Sequence, residues 1–284
     1  MTERCVVKYS FISTSQGGRL SVFQAFIESL QRAEISDKDY EVVFVDQTLG
    51  EYDEFINTCD SNINVIKSNR IPLSTARNLA LSKSIGEFVF FSDDDADYSQ
   101  FDFNEFDNIS RKSDIVSCRL LIAPDGKRSY GGRNFPSFSK YLSVREVFSC
   151  CLSLTIIMRK SVLTELGGFD ENYGAGAKYS GSEETDLILR AYCIGLKVDY
   201  SPRLIVMHPD EYLDVSYQEQ CEKFQRYALA YARVCRKYSQ RLNYIPLLVL
   251  LKNIFTTLVA ILVKGQKQFY FKRLSGFFAG FFSR

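Results

Sequence analysis

The chain has 284 residues, nearly half apolar and a quarter charged, enough to bury one full core and carry an appendage. A formal net charge of +1 leaves no basic field for nucleic acid, and the 17 Tyr and 23 Phe are not interleaved with Lys and Arg as a single-strand groove requires. The start MTERCVVKYS holds no apolar segment of signal-peptide length, so a cytoplasmic chain with reduced thiols is expected; Cys5, Cys59, Cys118, Cys150, Cys151, Cys193, Cys221 and Cys235 form no CxxC pair, so they read as small core residues rather than a zinc site or disulfide framework.

Up to about residue 125, short β-branched and aromatic runs alternate with amphipathic stretches, the pattern of βαβ units around a parallel sheet. CVVKYSFIS, EVVFVD, NINVIK and EFVFFS are the strand candidates; their order in the sheet is not readable. Between the last two, LSTARNLALSKSIG predicts a helix with Ser74 capping its start, Ala76, Leu79, Ala80 and Ile85 on its apolar face, and Gly86 at its stop. From about 113 to 160 the texture predicts antiparallel strands joined by a PDG turn and an irregular loop, so a mixed sheet is expected. A Gly-rich loop of about fifteen residues then leads into a helix from about Glu183 to Ile194, and loops of that kind often move over a site. His208, the single histidine, follows the short strand RLIVM, and a further helix is expected from about Ser216 to Tyr238.

The tail from 241 to 284 differs in kind from the catalytic-looking part, 1 to 240. It is apolar, aromatic and basic, but Lys252, Asn253, Thr256 and Thr257 interrupt the window from Ile245 to Val263. With Lys264 and Lys267 those residues could form one polar stripe, which predicts a helix lying in the membrane interface rather than a spanning one, with Lys272, Arg273 and Arg284 near acidic headgroups. The competing expectation is a helical hairpin packed on the main domain or on a second subunit of a homo-oligomer.

Ligands on such sheets gather at the carboxyl ends of strands, and three polar groups fall there: STSQGG after the first strand, Asp46 closing the second, and Asp93, Asp94, Asp95 and Asp97 closing the fourth. Four acids in five positions need solvent or a cation. A calcium loop on Asp93, Asp95 and Asp97 fails, because Tyr98 stands where the turn needs Gly and Asn104 where a bidentate Glu belongs.

IPLSTARNLALSKSIGEFVFFSDDDADYS, LGGFDENYG, GSEETDLILRAYCIG and IVMHP, in that order over residues 5 to 210, resemble the motifs of family 2 glycosyltransferases, the inverting enzymes with the A-type (GT-A) fold, of the kind that builds bacterial capsule or O-antigen. The resemblance implies an α/β fold, a Rossmann-like, mainly parallel sheet flanked by helices; the helical tail, expected from its own pattern to associate with a membrane, lies beyond the residues that resemble the family. It implies that Thr14, Asp46, Arg77 and Asp93 contact the donor, with Asp94 beside them, and that Asp95 and His208, with Asp93 close by, hold Mn²⁺ or Mg²⁺. Neutral imidazole suits Mn²⁺ better. Glu184 is the implied general base, a Glu where the family usually has Asp; Glu183 and Asp97 are supporting neighbours, and Asp186 and Arg190 structural. Gln47 and Thr48 depart from the second acid and Gly-Ser usual after Asp46, which leaves the nucleotide open, with a UDP-sugar as the expected donor. The implied acceptor is a glycan or a lipid-linked glycan, and the implied location the inner face of the cytoplasmic membrane. Two readings compete: a nucleotidyltransferase, for which STSQGGR is a poor phosphate loop, and a non-catalytic binding protein on the same fold.

Overall fold

Strand β2 (Tyr40–Asp46) shows how the sheet divides the core. Val43 and Val45 enter one buried cluster, while Val42 and Phe44 enter the other. A two-residue period on a strand covered on both faces produces that division.

A computed structural model describes residues 7–33, 35–36, 39–59, 62–124, 126–209 and 216–283. The strands are β1 (Tyr9–Ser15), β2, β3 (Ile63–Lys67), β4 (Phe88–Phe91), β5 (Ile115–Ile122), β6 (Lys140–Tyr141), β7 (Ile156–Arg159) and β8 (Asp199–His208), and they form one sheet in the order β3-β2-β1-β4-β7-β5-β8-β6. β7 runs antiparallel to both β4 and β5, and β6 antiparallel to β8; the other pairings are parallel, so the sheet is mixed as expected. The helices are α1 (Leu20–Arg32), α2 (Asp53–Thr58), α3 (Leu73–Lys83), α4 (Phe103–Ser110), α5 (Val144–Cys150), α6 (Lys160–Glu165), α7 (Glu183–Cys193), α8 (Tyr217–Tyr238), α9 (Ile245–Val263) and α10 (Lys267–Phe282). Phe23, Phe26, Phe103 and Phe106 bring α1 and α4 onto one face of the sheet; Ala76, Val147, Leu187 and Val234 bring α3, α5, α7 and α8 onto the other.

Several local expectations change. Pro72, not Ser74, precedes α3; Ser74 lies in the first turn and donates its hydroxyl to the Tyr173 carbonyl at 2.6 Å. Ser84 ends that helix, Ile85 is exposed, and Gly86 is needed for contact: a Cβ there would lie 2.5 Å from Ser10 Oγ on β1. The turn after β5 folds back on β5 itself, Ile122 N donating to Arg128 O at 2.8 Å, rather than passing straight to β7. The Gly-rich loop expected to move is anchored, with Tyr173 and Tyr179 both buried in the core and Leu73 N donating to Ala175 O at 2.9 Å. α8 starts as predicted, Ser216 and Glu219 forming a reciprocal cap.

The tail packs on the main domain, as the helical-hairpin expectation had it. α10 lies against α8 so closely that a Cβ on Gly276 or Gly280 would fall 2.3 Å from Gln225 O or 2.0 Å from Leu229 O. α9 rests on the domain through Pro246, Val249, Leu250 and Thr257. The expected polar stripe is divided. Asn253 donates to the Tyr231 hydroxyl at 3.2 Å and accepts from Arg273 at 3.3 Å, so these two polar side chains and Thr257 turn inward, while Lys252 and Thr256 stay exposed. The outward face is apolar instead: Leu248, Leu251, Phe255, Leu258, Leu262 and Val263 are all exposed. α9 is a continuous helix long and apolar enough to cross a membrane, so the polar residues do not disqualify it as the window suggested. Arg284 and Cys5 lie outside the described residues.

Candidate active site

β4 is buried along its whole length, and the chain leaves the sheet at Ser92 into the turn that carries the acids. A two-way backbone bridge sets that turn: Asp97 N donates to Met207 O at 2.8 Å and Met207 N to Asp97 O at 2.9 Å. The bridge ties the loop after β4 to the end of β8, although β7 and β5 separate the two strands in the sheet. Asp97 spends its side chain on the turn, accepting from Ser99 N at 2.8 Å.

The consequence is a three-residue cluster. Asp93, Asp95 and His208 each present an oxygen or nitrogen within 4.8 Å of the others. His208 Nε2 lies 2.9 Å from Asp95 Oδ1, and Nδ1 lies 2.7 Å from the Pro209 carbonyl, which fixes the ring. Burial alone would lower the His208 pKa, but the Asp95 carboxylate at its side raises it to about 9. Burial works against Asp95 as well, yet His208 and then Arg19 hold it below the usual carboxylate range. Asp94 goes the other way, to about 6, because loss of water outweighs its contacts with Ser15 and Arg19. Hard carboxylate oxygens beside one imidazole are a donor set that fits Mn²⁺ or Mg²⁺. Buried Asp94 Oδ2 and Glu183 Oε2 have no hydrogen-bond partner among the described residues.

Arg77 joins this cluster to α7. Its guanidinium is buried, donating to Asp93 Oδ1 at 3.0 Å and to Glu183 Oε1 at 3.1 Å, with the Phe169 ring 5.6 Å away. Expected at the donor, it stands between two acids. Glu183 opens α7 behind Ser182, which adopts a left-handed backbone with φ 65°. Gly174, at φ 106°, lets the preceding loop pass: a Cβ there would meet Ser74 Oγ at 2.8 Å. Glu184 is partly buried, and loss of water followed by the charge of Glu183 raises its pKa to about 8.

Thr14 and Asp46 stand at a second place, the ends of β1 and β2. Thr14 is inside β1 rather than in the loop after it, and its hydroxyl accepts from Gln47 Nε2 at 2.8 Å. Asp46 is fully buried, with Oδ1 taken by Thr48 N at 2.8 Å and Oγ1 at 2.6 Å, and Oδ2 by Lys67 at 2.6 Å. Burial would raise its pKa, but Lys67 and Thr48 bring it below the usual value. Beside them opens a cavity of about 720 Å³, lined by Gln16, Gly17, Gly18, Gln47, Thr48, Leu49, Glu51 and Arg70. The backbone N–H groups of Gly18 and Arg19 point at the Glu51 carboxylate, at 2.8 and 3.2 Å.

Residues 18–167 match the family model described as glycosyl transferase family 2. The chain belongs to that family. Solved structures agree on the fold: S. aureus TarS 1-349 in complex with UDP is 20% identical, over 84% of this chain and 71% of that one, with a TM-score of 0.57. Its complex with UDP-GlcNAc is 17% identical, over 95% and 89%, with a TM-score of 0.56. The mannosyltransferase PcManGT from Pyrobaculum calidifontis, in complex with GDP-Man and Mn²⁺, is 12% identical over 98% and 88%, with a TM-score of 0.62. No curated protein matches the sequence significantly.

The family 2 glycosyltransferase therefore has the GT-A arrangement that its motifs suggested. Arg19, Gln47, Glu51 and Lys67 also shape its site, and none of them was given a role there from sequence. Gln47 bridges Thr14 and Ile71 N, which it accepts at 2.7 Å, so a residue read only as a departure from the family links two loops. Arg19 lay within STSQGGR, considered there only as a phosphate loop.

Proposed function

We propose that the protein, through a catalytic domain of residues 1–240, transfers a sugar with inversion from a nucleoside diphosphate sugar, UDP-linked in the first instance, to a hydroxyl of a glycan or lipid-linked glycan. The observation that carries this reading is the convergence of Asp93, Asp95 and His208 within 4.8 Å, linked through Arg77 to the Glu183–Glu184 start of α7. The nucleotides bound by the structural neighbours support the donor class.

Asp95 and His208, with Asp93 beside them, would hold a divalent cation, whose chemistry is to neutralise charge on the departing diphosphate. Gln47 and Thr48 would line the cavity for the nucleoside, held there by Thr14 and Asp46, and Asp93 and Asp94 would face the phosphates. Arg77 holds Asp93 and Glu183 in register. Glu184 takes the proton from the acceptor hydroxyl as its oxygen attacks the anomeric carbon, a role that needs the carboxylate form and favours a pKa near the working pH. The nucleotidyltransferase alternative is disfavoured, because the N–H groups after β1 that would cradle phosphates are occupied by Glu51.

The test is a thermal-shift series with UDP-sugars and GDP-mannose, with and without Mn²⁺. A ligand at 100 times its Kd adds about 2.7 kcal/mol of stability, so the true donor should raise Tm by several degrees only when Mn²⁺ is present. A shift equal in EDTA would remove the metal from the reading.

The tail, residues 241–284, is assigned to the inner face of the cytoplasmic membrane. Since the inward side of α9 rests on the domain, only its outward apolar face would enter lipid, with exposed Lys252, Lys264 and Lys267 near the headgroups. Leu251→Glu, Phe255→Glu and Leu262→Glu together should cut binding to phosphatidylserine-containing vesicles at least about tenfold. Unchanged flotation would refute the assignment, and a dimer that binds no vesicles would place a second copy on that face.

A further inference from the structure

Among the described residues, Arg19 is the cation that reaches Asp94 and Asp95 from the side of β1. It follows Gly18 at the entry to α1; its Nε lies 2.9 Å from Asp94 Oδ1 and its Nη2 bonds Asp95 Oδ2. Its side chain is 43% exposed, whereas those of Asp94 and Asp95 are 7% and 6% exposed. A guanidinium thus lies against Asp95 on the side away from His208, which reaches the other carboxylate oxygen. The backbone beneath it is fixed, since Gly18 N and Arg19 N both donate to Glu51, while most of the reach belongs to the flexible stem.

A divalent ion on Asp95 Oδ1, beside His208, and a guanidinium on Oδ2 share one carboxylate, so each weakens the hold of the other. Asp93 is already engaged by Arg77, so Asp95 is where that competition falls. The planar fork of Arg that matches two carboxylates also matches two oxygens of a diphosphate, and a diphosphate brought in by the metal would offer them nearby.

We infer that Arg19 is an internal counter-ion that competes with the metal for Asp95 and, once the metal is seated, moves to the diphosphate of the donor, so that metal and nucleotide binding are coupled through one side chain. The inference rests on the reading of Asp93, Asp95 and His208 as the metal site. It makes Arg19 a ligand for the leaving group as well as a group that, with His208 at Asp95, offsets the charge of Asp94 and Asp95 before the donor arrives. It also explains why a loop that is a poor phosphate cradle carries an arginine at its end.

The experiment compares full-length wild type with Arg19→Ala and, to retain a polar stem, Arg19→Gln, each checked for an unchanged fold by circular dichroism. Mn²⁺ binding without nucleotide is followed by the electron-spin-resonance signal of the free ion, and UDP binding at saturating Mn²⁺ by calorimetry. The two affinities should move in opposite directions. Mn²⁺ alone should bind the variants roughly tenfold more tightly, and UDP roughly tenfold more weakly, each tenfold being about 1.4 kcal/mol. If Arg19 only braces Asp94 and Asp95, Mn²⁺ affinity falls or stays level in the variants, and the inference is overturned. If wild type binds no Mn²⁺ at all, the metal site itself is wrong and the coupling falls with it. Tighter Mn²⁺ with unchanged UDP would overturn the transfer to the diphosphate.

Discussion

Glu184→Gln is expected to lose at least about a hundredfold in transfer rate while becoming the more stable protein at alkaline pH. Both effects follow from one carboxyl group in a place that disfavours its charge. Loss of water and the adjacent Glu183 raise the Glu184 pKa to about 8 from an ordinary value of 4.5. Glu183 pairs with the Arg77 guanidinium at 3.1 Å. The folded state therefore binds the Glu184 proton more tightly than the unfolded chain does. Stability from this group is undiminished below about pH 4.5, declines as pH rises to about 8, and stays at its lowest above that. Gln carries no such charge. The variant should match wild type near pH 5 and exceed it above pH 8 by a gap on the order of a few kcal/mol, seen as several degrees in Tm. In the active wild type, the same titration makes the rate climb roughly tenfold per pH unit below its midpoint and level off above it. Two results would sink the assignment: a Gln variant with normal turnover, or equal melting curves for both proteins at pH 9.

Much of this site was legible because its parts are local. The apolar run from Val42 to Val45 that marks a strand covered on both faces is visible in four consecutive letters, and the passage from FVFFS to acids at a strand end is as plain. α7 announces itself by acids at its start and Gly195 after its end. What was hidden depends on partners far along the chain. Arg77 and Glu183 are 106 positions apart, and Arg19 and Asp95 are 76 apart. Nothing in the neighbourhood of any of these residues encodes such a meeting; the backbone bridge from Asp97 to Met207 and the strand order create it. The polar stripe in the tail was misread for a related reason. Polar residues at helical spacing were given to solvent, but Asn253 had Tyr231 and Arg273 to bond, so the apolar side was left facing out. Periodicity locates a face; only the neighbouring helix decides which way it turns.

Arg77→Ala should be the most destabilising single change in the site, costing about 3 to 5 kcal/mol, because it removes one partner from a buried ionic arrangement and leaves the others uncompensated. Arg77 is 2% exposed and the Glu183 side chain 7%, so water cannot enter freely to replace the guanidinium. Glu183 Oε2 already lacks a hydrogen-bond partner, and the variant would orphan Oε1 as well. Lysine is no remedy: one ammonium cannot present the planar fork that meets Asp93 and Glu183 together, so Arg77→Lys should fall between the two proteins. Replacing the acid relieves part of the cost, and Arg77→Met with Glu183→Gln should recover a substantial share of the stability lost in Arg77→Ala. Urea unfolding of the four proteins measures these differences directly. A loss below about 1 kcal/mol in Arg77→Ala would show that the two carboxylates reach water or another cation, and the bridge would not be what holds Asp93 and α7 together. With the bridge lost, transfer should fail in the double variant even where folding is restored, because stability returns without the charge that set Asp93 beside Asp95 and His208. Recovery of activity together with stability would assign Arg77 to folding alone.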